Sequence, residues 1–200
     1  MVVPFPLSLP SITVAVVTLS WIAFAALFVF RRRPPGAREE KRDRSSWNGV
    51  MLVAVGYLLV WSIRRPIFSP LIPAVPWIDA ILSVVGMLVS VLSVSLVLAA
   101  VRTLGKQWSV EARLVEDHRL ITGGPYAFVR NPIYTGMLGM MASTGIAFSH
   151  LWVLAAALAF GWYGTHLRVR REELLLRQRF GEEFEQYARR VPALLPWTRR

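Results

Sequence analysis

Apolar and charged residues segregate along this chain into long blocks. Met1 to Phe30, Ser45 to Ile63, Ala80 to Val101 and Asn131 to Thr165 contain no Asp, Glu, Lys or Arg. A helix rising 1.5 Å per residue needs about 20 apolar residues to cross a hydrocarbon core of about 30 Å. The first three blocks meet that demand as single helices, over residues 11–30, 47–63 and 78–101. The first has no Lys or Arg before it and Arg31-Arg32-Arg33 after it, the reverse of a cleavable signal sequence. It is expected to be an anchor helix with its N-terminus outside. Four prolines from Pro66 to Pro76 exclude a continuous helix between the second block and the third.

The fourth block divides on charge. As one helix it would be about 52 Å long, whereas two spans joined near Ser149-His150 would each be short. With five spans the inner side collects 7 Lys or Arg in residues 31–46, 5 in 102–130 and 9 in 166–200, which is 21 of 23. With four spans the last nine move outside. The positive-inside rule therefore predicts a tight helical hairpin, residues 133–148 and 151–165, with the C-terminus inside. Gly136, Gly139, Gly145, Gly161 and Gly164 there would let backbones approach closely. Beyond it, Leu176, Phe180, Phe184, Tyr187 and Val191 recur at helical spacing, which predicts an amphipathic interfacial helix from Arg168 to Arg190. Pro192 would end that helix, and Trp197 would anchor the chain at headgroup depth. The expected fold is all-α and polytopic. Residues 1–101 form three transmembrane helices, and residues 102–200 form a loop, the hairpin and the C-terminal helix of one integrated membrane domain.

Composition agrees with this layout and removes several kinds of chemistry. The 200 residues are 54% hydrophobic and 18% charged, with a mean hydropathy of +0.46, too apolar for a plain cytosolic globule. With no Cys and only three scattered His there is no disulfide framework, thiolate metal site or cysteine nucleophile, and no zinc centre is expected. A formal net charge of +11 raises the question of nucleic acid, but the basic residues flank apolar blocks, where they serve topology and anionic headgroups. Arg31 to Arg44 reads as a solvated connection against the membrane surface.

Polar chemistry is concentrated in residues 102–134 and 165–200, both expected on the inner face. Gly123-Gly124-Pro125 makes a turn, Pro132 suits the first turn of a helix, and backbone amides there suit an anionic group. Arg168 and Glu172 stand at i, i+4, so both side chains leave one face of a helix. Taken singly, such a pair is ordinarily a solvated ion pair, His118 an interfacial residue, and Tyr126 and Tyr134 headgroup anchors.

Order and spacing together say more. The run from His118-Arg-Leu-Ile-Thr-Gly-Gly-Pro-Tyr126 through Val129-Arg-Asn-Pro-Ile-Tyr-Thr-Gly136 is followed by Glu172-Glu173, Phe180-Gly-Glu-Glu-Phe-Glu-Gln-Tyr187 and Arg190-Val-Pro192. This pattern resembles the isoprenylcysteine carboxyl methyltransferase family of the isoprenylcysteine and phospholipid methyltransferase superfamily. The likeness covers roughly residues 102–197, while the first three spans match only in hydropathy. It implies an integral membrane enzyme that moves a methyl group from S-adenosylmethionine to a lipid-embedded acceptor such as an isoprenylcysteine carboxylate.

By that resemblance the cofactor is held by His118, Arg119, Leu120 and Ile121, by Tyr126, and by Asn131, Pro132, Ile133 and Tyr134. Arg168 and Glu172 address the acceptor carboxylate. Asn131 departs from the His usual in the family; it keeps donor and acceptor capacity but cannot become cationic. A further cofactor contact, a Gln in the family, has no matching residue here, Arg113 being the nearest candidate. No metal is implied. An ionised carboxylate needs no general base, whereas a phosphatidylethanolamine nitrogen must lose a proton, for which Glu172 or Glu173 is the candidate. A small thiol acceptor and a catalytically silent membrane scaffold are the other readings. The expected location is a bacterial cytoplasmic membrane, with the site facing the cytosol.

Overall fold

Residues 8–30, 47–105 and 120–195 are described by the computed structural model, and among them the chain forms six α-helices and one short 3-10 turn. The helices are α1 (Leu9–Phe30), α2 (Trp47–Ser62), α3 (Pro76–Leu104), α4 (Pro132–Phe148), α5 (Leu151–Phe180) and α6 (Glu182–Arg190), and the 3-10 turn is Gly124–Ala127. Proline opens both α3 and α4, where its missing N–H forfeits no helical bond and its fixed φ suits the first turn. His118, Arg119, Arg113, Trp197 and the basic segment Arg31 to Arg44 lie outside the described residues.

Helix α4 is the centre of the bundle and packs against α1, α2, α3 and α5. Successive residues of a helix point about 100° apart, and Met140 and Met141, both fully buried, use that turn to serve two cores. Met140 joins Phe24 of α1 with Val97 and Val101 of α3. Met141 joins Val53 and Val60 of α2 with Ala157 of α5. An unbranched, polarizable side chain suits such seams because it fills irregular gaps between helices. Small residues bring the backbones in. Gly136 and Gly139 face Ser93 of α3, Gly161 faces Met141, and Gly145 faces Leu154 across the two-residue turn between α4 and α5.

The outward faces are apolar. Among the described residues two helices are long and apolar enough to cross a membrane, α1 over Leu9–Leu27 and α3 over Pro76–Leu104, while the apolar α2 is shorter. Only 28% and 33% of an apolar 18-residue window in each is buried within the protein. A core helix of a soluble protein would be mostly covered; here Leu19, Ile22, Leu88 and Leu92 stand exposed instead.

One correction concerns the C-terminal region. The amphipathic pattern from Arg168 to Arg190 is not a single helix: α5 continues from Leu151 to Phe180, and α6 begins afresh at Glu182. Gly181 takes φ +52°, a left-handed conformation that a glycine adopts without strain and that ends α5. The change of direction buries Phe184 completely.

At the opposite end of the bundle a buried arginine ties the helices together. Arg65 donates from Nη2 to the Ile146 carbonyl at 2.6 Å, from Nη1 to the Ser149 carbonyl, and from Nε to Ser69 O at 2.9 Å. Its backbone N–H reaches Phe148 O at 3.0 Å, and Ser149 Oγ donates to Val60 O at 2.8 Å. Carbonyls at the end of a helix have no partner within it, so this side chain satisfies groups that would otherwise be buried unpaired. Arg65→Ala is expected to cost about 3 kcal/mol, by stripping charge-assisted hydrogen bonds from buried carbonyls. Arg64→Ala, which removes an exposed guanidinium lying 5.0 Å from the Trp61 ring, is expected to cost about 0.5 kcal/mol. Denaturant unfolding of the two variants in detergent measures the difference.

Candidate active site

The loop entering α4 and the chain leaving α6 are laced together. The backbone N–H of Arg130 donates to Pro192 O at 2.8 Å and that of Asn131 to Ala193 O at 3.1 Å. Thr135 Oγ1 donates to Leu194 O at 2.6 Å, and Tyr187 OH to Tyr126 O at 2.6 Å. Residues 187–194 thus form a strap across the start of α4. Its Val-Pro-Ala sequence has little helical tendency after Arg190, so its carbonyls are left for this pairing.

Arg130 and Glu173 hold the strap from beneath. The Arg130 Nε and Nη2 groups donate to the two oxygens of Glu173 at 2.8 and 3.1 Å, a bidentate pair. Arg130 Nη1 donates to the carbonyls of Ala188 and Val191. Asn131 Nδ2 adds bonds to Glu173 Oε1 at 3.3 Å and to Ala193 O at 3.1 Å. Glu173 is only 6% exposed, and a carboxylate so buried is tolerable because three donors answer it.

This lattice forms the polar side of an open pocket. Leu104 at the end of α3, Leu120, Ile121, Leu176 and Phe184 provide apolar walls, and Tyr126 and Tyr187 provide aromatic ones beside Arg130, Asn131 and Glu173. Burial pushes the Tyr187 hydroxyl up to about 12 and the Tyr126 hydroxyl well above its usual value, so both stay protonated. Aromatic faces, aliphatic walls and one buried carboxylate suit a ligand that combines a flat heteroaromatic ring with a positive charge. The donor set therefore fits S-adenosylmethionine.

A second cluster lies on the adjoining face of α5. Arg168 Nε donates to Tyr134 OH at 2.8 Å, Arg168 Nη2 donates to Glu172 Oε1 at 3.2 Å, and Tyr134 OH donates to that same carboxylate oxygen. The guanidinium carbon lies 5.4 Å from the Tyr134 ring centre. Glu172 and Glu173 are consecutive, so the 100° step of the helix aims one at each cluster. The Arg168 and Glu172 side chains are 15% and 23% exposed, enough to be reached by a ligand.

The expected residues divide between the two. Leu120, Ile121, Tyr126 and Asn131 line the pocket. Pro132 is buried as the first residue of α4, and Ile133 packs on the Met140 core rather than lining the pocket. Tyr134 bonds to Arg168 and Glu172, away from the residues grouped with it in sequence. Leu104, Arg130, Glu173, Leu176, Phe184 and Tyr187 complete the pocket, none of them expected as a cofactor contact, Glu173 only as a candidate base. Of these, Leu176, Phe184 and Tyr187 belong to the apolar periodicity beyond Thr165, and Arg130 stands beside Asn131; Leu104 carries no local signal.

Desolvation raises the Glu172 carboxyl above its usual range, against the lowering effects of the Tyr134 hydrogen bond and the Arg168 charge. A carboxyl raised on folding takes up protons, so its contribution favours the fold below the ordinary carboxylate pKa and is lost as pH rises through the folded value. Glu172→Gln is accordingly expected to be at least as stable as wild type at pH 7. Its advantage should vanish on acidification towards about pH 4, the unperturbed carboxylate range. Thermal unfolding of both proteins across that pH range checks this; a Gln variant less stable at pH 7 would contradict it.

A model of the phospholipid methyltransferase family matches residues 81–183. That is more than half of the chain, which belongs to this family. Among curated proteins, a probable protein-S-isoprenylcysteine O-methyltransferase of Oryza sativa subsp. indica is 32% identical over 117 residues, covering 58% of this chain and 61% of the relative. The human protein-S-isoprenylcysteine O-methyltransferase is 31% identical over 135 residues, 66% of this chain and 46% of that protein. Protein-S-isoprenylcysteine O-methyltransferase B of Arabidopsis thaliana is 31% identical over 101 residues, 50% of this chain and 51% of its own length. The chain thus spans roughly half to three-fifths of the length of these relatives.

Proposed function

We propose that this protein is an integral membrane methyltransferase that uses S-adenosylmethionine to methylate the carboxylate of a lipid-embedded, prenylcysteine-like acceptor. The observation that carries the proposal is the pairing of two clusters on one turn of α5. A pocket suited to a cationic nucleoside adjoins an arginine suited to a carboxylate, and the two are separated only by the step from Glu172 to Glu173. The names of the curated relatives support the acceptor class.

Bound S-adenosylmethionine supplies an electrophilic methyl group, and the chain's own task is to position and desolvate. Leu104, Tyr126, Phe184 and Tyr187 would hold the aromatic part, and Glu173, its carboxylate fixed by Arg130 and Asn131, would offer a negative group to the positive charge. Arg168 grips the acceptor carboxylate. Tyr134 and Glu172 engage its Nε and Nη2, which leaves the Nη1 edge towards the incoming group. No proton has to move, because a carboxylate is already a nucleophile at neutral pH. In this reading α1 to α4 and the first half of α5 span the bilayer with the N-terminus outside, as the distribution of Lys and Arg indicates. Both clusters then face the cytosol, where the cofactor arrives in water and the acceptor in lipid.

An amine acceptor is the second reading. Its particular support is the raised carboxyl of Glu172, which suits a base that must take a proton from a phospholipid amine. Acceptor profiling separates the two, with N-acetyl-S-farnesylcysteine and phosphatidylethanolamine vesicles as probes and radiolabelled cofactor as the methyl source. Arg168→Ala is expected to lower kcat/KM for the farnesylated carboxylate about 100-fold, roughly 2.7 kcal/mol, and to leave cofactor affinity within threefold. Glu173→Gln is expected to do the reverse, weakening calorimetric binding of S-adenosylmethionine at least tenfold. Full turnover of the farnesylated acceptor by Arg168→Ala would refute the carboxylate grip, and absence of cofactor binding by folded wild type would refute the methyltransferase reading altogether.

A further inference from the structure

Helix α2 lies before the segment that the family model matches, yet its first turn touches the second cluster. Gly49, the third residue of α2, is buried. A Cβ placed on it would lie 2.7 Å from Arg168 Cγ, 2.7 Å from the carbonyl oxygen of Gly164 and 3.3 Å from Arg168 N. A Cβ on Gly164 would in turn lie 2.7 Å from Gly49 O and 2.9 Å from Val53 N. The two helices therefore cross backbone to backbone at Gly49 and Gly164. Side chains of a helix lean towards its N-terminus, so the stem of Arg168 lies over the turn that contains Gly164, which is where α2 crosses.

We infer that Gly49 is a positioning residue for Arg168. The absence of a side chain at 49 leaves a channel beneath the first turn of α2 that is just wide enough for the Arg168 stem. That channel delivers the guanidinium onto the Tyr134 hydroxyl at 2.8 Å and Glu172 Oε1 at 3.2 Å. The inference rests on the reading of Arg168 as the acceptor's grip, and it brings the N-terminal half of the chain into the handling of the acceptor. Gly56 provides an internal comparison. A Cβ there would meet Ala157 O at 2.8 Å and Met141 Cε at 2.9 Å, an equally tight approach of α2 that involves no residue of either cluster.

The test compares Gly49→Ala, Gly56→Ala, Arg168→Ala and the double variants with Arg168→Ala in the full chain purified in detergent. Thermal midpoints, cofactor binding and the two KM values are measured with S-adenosylmethionine and N-acetyl-S-farnesylcysteine. Both glycine variants are expected to lower the midpoint. Only Gly49→Ala should raise the acceptor KM, at least tenfold, with the cofactor KM unchanged within twofold. With Arg168→Ala in place the clash at Cγ is gone while that with Gly164 O at 2.7 Å remains, so the midpoint loss caused by Gly49→Ala should shrink measurably without vanishing, whereas that of Gly56→Ala should persist in full. If Gly49→Ala alone does not fold, Arg168→Lys serves as the comparison, because it keeps the stem facing residue 49 and changes only the guanidinium. A higher yield of folded protein for Gly49→Ala with Arg168→Ala than with Arg168→Lys upholds the inference, whereas equal yields overturn it. Equal effects of the two glycine variants on KM, with midpoint losses that simply add to that of Arg168→Ala, would overturn the inference. Should wild type bind the cofactor but leave the farnesylated probe unmethylated, the acceptor reading fails by itself; the midpoint cycle then decides Gly49, coupling upholding its contact role and additivity overturning it.

Discussion

The bidentate pair of Arg130 and Glu173 is the interaction on which the pocket end of this protein depends. Two charges this well buried are tolerable only as a fully answered set, and the structure answers them with Asn131 and with carbonyls of the C-terminal strap. The same arginine thereby joins three parts of the chain remote in sequence: the loop into α4, the second half of α5 and the segment after α6. Remove the pairing and the strap, the 3-10 turn and the start of α4 lose their common anchor.

The apolar helices serve this arrangement by making α4 a fixed reference. Its two buried methionines engage separate cores, so α1 and α3 grip it on one side and α2 and α5 on the other. Arg65 secures its far end through carbonyls and the strap secures its near end through Asn131 and Thr135. A helix held at both ends and on both sides sets the position of Tyr134 in its first turn. The phenol then meets Arg168 because α5 packs along α4 at the separation that the glycines permit.

What was legible in the sequence follows from which physics is local. Runs without charge marked α1, α2 and α3 to within a few residues, and the turn at Ser149 and His150 separates α4 from α5 where the charge distribution had placed a break. The spacing of Leu176, Phe180, Phe184 and Tyr187 was helical, but periodicity cannot register the one glycine at which the chain reverses hand, so one helix was read where there are two. Arg168 and Glu172 were recognisable as an i, i+4 pair. Tyr134 was grouped with its sequence neighbours of the loop, although a helix that begins at Pro132 turns it away from them and towards α5. Leu104 and Gly49 were invisible for a different reason. Gly49 contributes a contact between helices and Leu104 a pocket wall, and a leucine or a glycine in an apolar helix carries no mark of what it will face.

The strap also bears on how the protein is made. Residues 187–194 pair with residues 126–135, so the pocket unites segments about 60 positions apart. During synthesis the chain emerges from its N-terminus, and domains tend to assemble in that order. The helices from α1 to α5 precede residues 187–194 and can therefore begin to pack before that stretch has emerged from the ribosome. Until that stretch is released, Arg130 has neither Ala188 nor Val191 to bind, and the nascent bundle stands with its pocket open along one side. The pocket is thus closed only once residues 187–194 have taken their place, and a copy cut short before them would carry α1 to α5 without the carbonyls that Arg130 binds.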